Sequence, residues 1–362
     1  MKRIVTISIL LVLSVVFTVS YAAGKKYKYD VLEDKTIRIT GVPYSNKDTL
    51  KIPASIDGFK VSSITSESFF NSACRHLVFS EGIKELVGTP QNNYIKEITI
   101  PSSMTTINFE KGVIFRNCDS LEKINVHNRN PVYGVENGCL YGKETKELIY
   151  YPVSAKTKKI KTPSEVISIR AYAFLGNKYL ESLIISEGVT SIGKYAINEC
   201  EKLRSISLPS SLSLSSWNGE NILDCPQMTT ITVAKESPYL QVVDGALIDV
   251  VNNKLLYMPD NTKITKYVIP ETVKDIEKNA FKSCNNLVSV HIPGTVEIVE
   301  SYAFGNCINL RNVDIDEGVT FISNHAFAEC YKLSDPAYPE SAELFSRTPD
   351  PYATEEDKLY GN

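Results

Sequence analysis

The feature that most constrains this chain is a short phrase, Ala followed by an aromatic or aliphatic residue, that returns every 23 residues. Its copies begin at Ala173, Ala196, Ala280, Ala303 and Ala326. A fixed period of this size is the signature of a solenoid, in which each coil packs only against its neighbours. By length alone, 362 residues would suggest two or three globular domains. The repeat instead predicts one elongated stack of coils.

Within each coil, the apolar residues follow one pattern. Counted from a slot that holds only Cys or Asn, they recur at +3, +6 and +8, as at Leu180, Leu183 and Ile185. The +6 and +8 residues have the period of a strand, so each coil is expected to add one strand to a single parallel, concave sheet. The predicted fold class is a β-rich, right-handed solenoid with short helical or 3-10 turns and an N-terminal hairpin cap.

The N-terminus has the pattern of a secretory signal peptide. Met1-Lys2-Arg3 precede an apolar run, and the small residues at its end predict cleavage after Ala22. The run is short for about 30 Å of hydrocarbon, which disfavours an uncleaved anchor. Residues 1–22 are therefore assigned to a signal peptide of a secreted or cell-surface protein. Residues 23–51 are assigned to the hairpin cap, because polar and apolar residues alternate on both sides of Glu33-Asp34-Lys35.

The coils are assigned to residues 52–333 and contain two insertions, near residues 131–160 and 238–267. The insertions resemble each other at an offset of 107 residues, with Tyr150-Tyr151-Pro152 aligned to Tyr257-Met258-Pro259. Each is expected to form a hairpin, the first by pairing residues 140–142 with residues 148–151. Residues 334–362 are rich in Pro and acidic residues, so an exposed or loosely attached tail is predicted there.

The Cys or Asn slot is predicted to be structural. Its occupants are Asn92, Cys118, Asn177, Cys200, Cys225, Cys284, Cys307 and Cys330. A slot that accepts either residue type requires a compact side chain that can hydrogen-bond a turning backbone. Cysteines in an exported chain often form disulfides, but six of the eight share this slot and stack in phase, which favours a ladder of free side chains. A Cys74–Cys139 disulfide stays open, and no Cys/His spacing predicts a metal or a cofactor.

This arrangement resembles the BspA-like leucine-rich repeat family, also described as the Treponema-type 23-residue class. The resemblance rests on Ile-Pro-Glu-Thr-Val, Asn-Ala-Phe-Lys-Ser-Cys-Asn-Asn-Leu and Ile-Pro-Gly-Thr-Val within residues 269–296. It covers residues 52–333 and implies a leucine-rich repeat solenoid. It also implies an exported or surface protein that binds host matrix proteins, other cells or glycans. Motifs of this kind specify the fold and leave the ligand open.

No residue pattern predicts catalysis. The four histidines, His76, His127, His291 and His325, fall outside any HExxH, GxSxG or Cys/His frame, so an enzyme is not expected. Removal of Lys2 and Arg3 leaves 37 basic against 42 acidic residues. This balance argues against nucleic-acid binding, which usually requires a basic surplus.

The candidate ligand-binding residues lie on the outward side of the predicted sheet. They are Arg204, His291, Arg311 and Asp314. A polar stripe of this kind is often only the wet side of a sheet, but repeat solenoids also bind through it. We expect a monomer that binds an extracellular protein through this face. The alternative is carbohydrate binding by the first insertion through Tyr133, Tyr141, Tyr150 and Tyr151, which could equally pack within the hairpin.

Overall fold

The chain folds as a β-solenoid in the computed structural model. The structure describes residues 17–19, 27–45, 47–69, 72–88, 91–108, 115, 117–213, 217, 219–334 and 338–345. Apart from residues 17–19, the predicted signal peptide lies outside the described residues, as does most of the predicted tail. None of the helices in the described ranges has the length and hydropathy needed to cross a membrane.

The N-terminal part of the chain starts with a hairpin and continues into the first coils. Its elements are β1 (Phe17–Val19), β2 (Lys28–Val31), β3 (Ile37–Gly41), β4 (Thr49–Ile52), β5 (Ser55–Ile56), β6 (Phe59–Thr65), a 3-10 turn (Ser66–Phe69), β7 (His76–Phe79), β8 (Glu85–Val87), β9 (Glu97–Ile100), β10 (Thr106–Asn108) and β11 (Lys123–Val126). β2 pairs antiparallel with β3 and with β1, and β3 pairs parallel with β6. The hairpin therefore continues directly into the sheet of the first coils.

The central and C-terminal parts each start with a three-stranded meander. The central elements are β12 (Tyr133–Glu136), β13 (Cys139–Gly142), β14 (Glu147–Tyr150), β15 (Lys159–Lys161), β16 (Ser168–Ile169), β17 (Ser182–Ile184), β18 (Ser191–Ile192), β19 (Ile197–Asn198), β20 (Ser205–Leu208), β21 (Ile222–Leu223) and β22 (Thr230–Val233). The C-terminal elements are β23 (Leu240–Val243), β24 (Ala246–Asp249), β25 (Lys254–Tyr257), β26 (Lys266–Val268), β27 (Asp275–Ile276), β28 (Ser289–Ile292), β29 (Ile298–Val299), β30 (Asn312–Ile315), β31 (Phe321–Ser323) and β32 (Glu343–Phe345).

The coils contribute strands to two series of parallel sheets. The first series consists of β4, β7, β9 and β11, then β15, β17, β20 and β22, and then β26, β28 and β30. The second series consists of β3, β6, β8 and β10, then β14, β16 and β18, and then β25, β27, β29, β31 and β32. β19 and β21 form a separate parallel pair. We call the outward side chains of the first series the first-series face.

The first series contains the strands predicted at positions +6 and +8. In β28, Val290 and Ile292 are buried, whereas Ser289 and His291 point outward. The prediction of a single sheet is incomplete, because the second series lies outside it. Most second-series strands are only two or three residues long, as in Ser168–Ile169. One buried isoleucine in so short a strand gives no alternation that a sequence pattern can reveal.

The corners of the coils are tight turns. Among the described residues, a single 3-10 turn occurs, at Ser66–Phe69. A typical coil has two residues with positive φ, one five positions before the Cys or Asn slot and one directly before it. In one coil these are Tyr195 (φ 55°) and Glu199 (φ 53°). L-residues tolerate the left-handed conformation singly and not in runs, so these positions interrupt helical hydrogen bonding, and in the described part of the chain the predicted helical or 3-10 turns are reduced to this one 3-10 turn.

The Cys or Asn slot forms a ladder of hydrogen bonds that runs between coils. Cys307 Sγ donates to the carbonyl of Phe281, and Cys330 Sγ donates to that of Phe304, each at 3.0 Å. Asn177 makes the equivalent contact, since its side-chain amide donates to the Pro152 carbonyl at 2.8 Å. Each side chain therefore ties its own coil to the corner of the preceding coil.

All eight cysteines are free and buried. The Cys74–Cys139 disulfide that the sequence left open does not form, because the two thiols belong to different hydrophobic clusters. Burial raises the pKa of Cys118 to about 11. A buried thiol with a raised pKa carries little thiolate and reacts poorly.

Each insertion is an antiparallel meander that contributes to two hydrophobic clusters at once. In the first, Leu148 belongs to the central cluster, whereas Leu140 and Tyr150 belong to the N-terminal one. In the second, Leu256 belongs to the central cluster and Ile248 to the C-terminal one. Both faces of each meander are therefore buried, which explains why its strands are almost continuously apolar. We call the meanders β12–β14 and β23–β25 the first and second septum, because they divide the core into three blocks.

The coil pattern continues beyond residue 333. β32 pairs parallel with β31, with Leu344 opposite Ile322. Ser341 Oγ accepts a hydrogen bond from the Gly318 amide and donates one to the Val319 carbonyl. Ser211 makes the same two bonds, with Gly188 and Val189, in an earlier coil. Residues 338–345, within the segment assigned to a tail, thus form part of a further coil.

Candidate functional site

The first-series face is a set of columns, each made of equivalent residues from successive coils. Residues of one column lie directly opposite each other on neighbouring strands, as His291 and Asp314 do. Paired parallel strands are about 4.8 Å apart, so residues 23 positions apart in sequence become neighbours on the surface. His291 and Asp314 occupy the +7 column, whereas Arg204 and Arg311 lie at +4 and are exposed. All four predicted residues therefore lie on or beside this face.

In the N-terminal block, the face carries a ladder of opposite charges. His76 lies between two carboxylates, with Nε2 3.4 Å from Asp48 and Nδ1 3.0 Å from Glu97. Asp48 also contacts Arg75 at 3.7 Å, and Glu97 contacts Lys123 at 3.3 Å. A hydrogen bond from Asn125, together with the contacts to Lys123 and His76, lowers the pKa of Glu97. Each carboxylate here already has a permanent cation beside it.

In the central block, the face consists mainly of hydroxyl groups. Ser205 donates to Ser182, and Thr232 donates to Ser207, both at 3.0 Å between oxygens. Arg204 lies exposed just before β20. Lys158, 2.9 Å from Glu181, holds the pKa of that carboxyl below its usual value, and Arg204 adds a weaker attraction. Arg204 therefore retains an accessible guanidinium at the edge of a hydroxyl surface.

In the C-terminal block, the structure brings His291 and Asp314 together, with His291 Nδ1 3.0 Å from Asp314 Oδ2. Asp316 adds a second carboxylate, 3.5 Å from His291 Nε2. Sequence analysis missed Asp316 because it lies just after β30, outside the strand positions. Arg311 lies exposed just before β30. Arg204 and Arg311 belong to different blocks, so the four predicted residues do not form one compact site.

An apolar side chain also lies on the C-terminal part of the face. Val268 pairs with His291 in the same column, and 64% of its surface is exposed. Exposed valines are uncommon inside a polar column, whereas interfaces often centre on an apolar residue with a polar rim. Val268 and His291 thus place an apolar and a polar side chain next to each other on neighbouring strands.

A half-open cavity of about 350 Å³, lined mainly by polar residue types, lies where the second septum meets the coils, and no sequence pattern indicated it. Its lining residues are Asp224, Pro226, Asp260, Asn261, Ser283, Asn285 and Asn306. Asp260 is buried, accepting hydrogen bonds from the Tyr257 hydroxyl and the Cys225 amide at 2.8 Å each. Desolvation by burial raises the pKa of Asp260 to about 7. No short motif marks this cavity, because its residues come from four separate stretches of the chain.

Three of the four candidate tyrosines of the first insertion are buried packing residues, and the fourth, Tyr141, is half-buried against the central cluster. Tyr133, Tyr150 and Tyr151 are buried. The ring of Tyr150 packs edge-on against Phe115, and that of Tyr151 lies against Phe174 at a centroid distance of 5.5 Å. These rings offer no platform on which a sugar could stack. The second insertion differs, since Tyr239, Val250 and Val251 are 41%, 42% and 59% exposed.

Two parallel strand series, short turns and an in-phase Cys or Asn ladder define a leucine-rich repeat solenoid. The family described as BspA type Leucine rich repeat region matches residues 44–154, 149–242 and 256–348, in six copies. These matches cover well over half of the sequence, so the chain belongs to this family.

Several solved structures are similar to this chain. A leucine rich cell surface protein from Faecalibacterium prausnitzii is 23% identical, with 89% of each chain covered and a TM-score of 0.49. A leucine-rich repeat protein from Eubacterium ventriosum is 18% identical over 91% of this chain and 95% of that one, with a TM-score of 0.45. One from Bacteroides ovatus is 19% identical over 90% of each, also with a TM-score of 0.45. No curated protein sequence matches the chain.

Proposed function

We propose that this chain is an exported, non-enzymatic binding protein that holds an extracellular protein partner on its first-series face. The observation that carries this proposal is the C-terminal part of the face, where exposed Val268 is paired with His291 and where exposed Arg311 directly precedes the next strand, β30. Arginine and apolar anchors with a polar rim are enriched at protein interfaces. The extended face of a repeat solenoid suits a partner that spans several coils.

Export and surface location belong to the same proposal. They are supported by the basic residues and apolar run at the start of the sequence and by membership of the BspA type family. In this view the mature protein starts near residue 23, acts as a monomer and meets its partner outside the cell or on its surface. All eight cysteines are buried within the coils, which suits a role that depends on shape and charge.

The test is binding of residues 23–362 to an array of extracellular matrix proteins. The double substitution Arg204→Glu with Arg311→Glu should weaken binding about tenfold or more, because two attractive charges become repulsive. The charge-matched control is Lys28→Glu with Lys60→Glu, at two exposed lysines of the N-terminal hairpin and β6. Two results would contradict the proposed face. One is that both variants lose binding to the same extent, and the other is that neither variant loses binding.

Carbohydrate binding is a second candidate, and the half-open cavity favours it. Asn261, Ser283 and Asn306 supply amide and hydroxyl groups of the kind that bind sugar hydroxyls. The buried tyrosines of the first insertion no longer support it. On a glycan array, Asn261→Ala should reduce binding, whereas Tyr141→Ala in the first insertion should not. Glycan binding that responds to Tyr141→Ala alone would move the site back to the insertion.

A further inference from the structure

A mixed group of nitrogen and oxygen donors lies at the C-terminal end of the first-series face. His291, Asp314 and Asp316 each offer one ligand atom, and these atoms lie within 4.8 Å of one another. The distance from His291 Nδ1 to Asp314 is 3.0 Å and that from His291 Nε2 to Asp316 is 3.5 Å, so the two carboxylates lie next to different ring nitrogens. Two ligands of a tetrahedral zinc ion, each about 2.1 Å from the metal, are about 3.4 Å apart. An imidazole gives one nitrogen to an ion, so the three ligand atoms, which lie within 4.8 Å of one another, must move slightly closer together to share one ion.

The sheet fixes the position of this group. His291 and Asp314 are paired directly across β28 and β30, and their strands are held by backbone hydrogen bonds on both sides of the pair. Asp316 lies two residues beyond Asp314, so its side chain is placed on the same side of the extended chain. The Asp316 amide donates to the Ile292 carbonyl at 3.0 Å, which holds this residue against β28. The three metal-ligand side chains therefore extend from backbone that hydrogen bonds between β28 and β30 hold in place.

The His76 cluster of the N-terminal block provides an internal comparison. There too an imidazole lies between two carboxylates, but Arg75 contacts Asp48 and Lys123 contacts Glu97. Within the described ranges, the ion pairs of Asp314 and Asp316 involve His291 alone. The first cluster already has fixed cations, whereas the second has two carboxylates that a cation could neutralise. A metal ion has a strong electrostatic reason to bind only at the second.

We propose that His291, Asp314 and Asp316 bind a divalent transition-metal ion of the zinc type. Imidazole is a ligand that Zn²⁺, Co²⁺ and Ni²⁺ accept, whereas Ca²⁺ and Mg²⁺ prefer all-oxygen sites. Three protein ligands leave at least one coordination position for water or for a donor from a partner. The side chain of Asp314 is 80% exposed and that of Asp316 51%, so both carboxylates can adjust to an ion without disturbing the core. This site does not depend on the proposed protein-binding role.

The experiment is titration of residues 23–362, purified without a histidine tag, with Zn²⁺ by calorimetry and with Co²⁺ by visible absorption. One equivalent of metal should bind, with a Co²⁺ spectrum of low coordination number. His291→Ala should remove the absorption band, and Asp314→Asn should weaken binding about tenfold or more. His76→Ala is the matched control, and it should leave both signals unchanged.

Three outcomes would overturn the assignment. The first is no metal binding at millimolar Zn²⁺, and the second is binding that survives His291→Ala. The third is a site that takes Ca²⁺ in preference to Zn²⁺, which would point to carboxylates elsewhere. Because all three substitutions are at exposed or half-exposed positions, the variants should fold, and circular dichroism would verify that they do.

Discussion

The two septa occupy equivalent places in the solenoid and differ where the fold leaves them free to differ. Both are three-stranded meanders whose last strand joins the second series. At their hairpin tips, the first has Lys143 and Glu144, whereas the second has exposed Val250 and Val251. Behind the last strand, Val153 of the first corresponds to the buried Asp260 of the second. A septum therefore requires two apolar faces, whereas its tip and its rear edge can differ in sequence and take up other roles.

The largest expected change in stability comes from substitutions at the buried apolar residues that the two septa have in common. Tyr151 and Met258 occupy the same place in the two septa and are both about 1% exposed. Tyr151→Ala should lower the free energy of unfolding by about 3–5 kcal/mol, and Met258→Ala by about 2–5 kcal/mol, because each leaves a cavity in the hydrophobic cluster that follows its septum. Urea denaturation of both variants measures this. If either substitution cost less than about 1 kcal/mol, the septa would not be equivalent.

The next effect is a pH dependence of stability that only the second septum should show, because Asp260 has no ionisable equivalent in the first. Its pKa is about 7 in the folded protein, whereas an unfolded Asp has a pKa of about 3.9. The folded state therefore holds this proton more tightly, so stability should fall as pH rises from about 4 to about 7 and then level off. The loss between pH 5 and pH 8 should be about 2–3 kcal/mol. Unfolding measured across this range is the test.

Asp260→Asn supplies the control for that measurement, because its side chain cannot ionise. The variant should lack this component of the pH dependence while keeping an acceptor for the Cys225 amide. An unchanged slope in Asp260→Asn would assign the effect to other groups. Val153→Ala, at the equivalent place in the first septum, should leave the slope as it is in the wild type.

The smallest effect on stability is expected at the hairpin tips. Val250→Lys with Val251→Glu transfers the tip of the first septum onto the second. Surface substitutions of this kind usually change stability by less than about 0.5 kcal/mol. If the second septum contributes to partner binding, the same variant should weaken that binding because two apolar contacts are lost. Thermal unfolding and a binding titration on one preparation separate the two effects.

The sequence was sufficient to predict the solenoid, the first series of strands and the structural role of the Cys and Asn slot. These features repeat, so a weak signal in one coil is reinforced by the next, as with Cys284, Cys307 and Cys330. The second series was hidden because strands such as Asp275–Ile276 are too short to show a period. The coil turn at Pro339-Glu340-Ser341 was obscured by the prolines and acidic residues around it, although it matches Pro209-Ser210-Ser211.

The site was less accessible to sequence reasoning than the fold. His291 and Asp314 could be placed together because they are 23 residues apart, which is one coil. Asp316 and Asp260 carry no such periodic signal, and their neighbours are set by packing between coils and septa. The burial of Tyr150 and Tyr151 was also undecided, since aromatic residues on a hairpin can face either a core or solvent.

The septa, which divide the core into three blocks, also affect the order in which parts of the chain can fold. While a repeat stack folds, the hydrophobic core at the end of its last folded coil stays exposed until the next coil packs on it. This exposed surface promotes aggregation. Here the first septum closes the N-terminal core once Tyr150 is in place, and the second closes the central core once Tyr257 is. If the chain is exported from its N-terminus, as proposed above, each unit could therefore be sealed before the next is delivered. The two septa would then divide the folding of the exported chain into three successive steps.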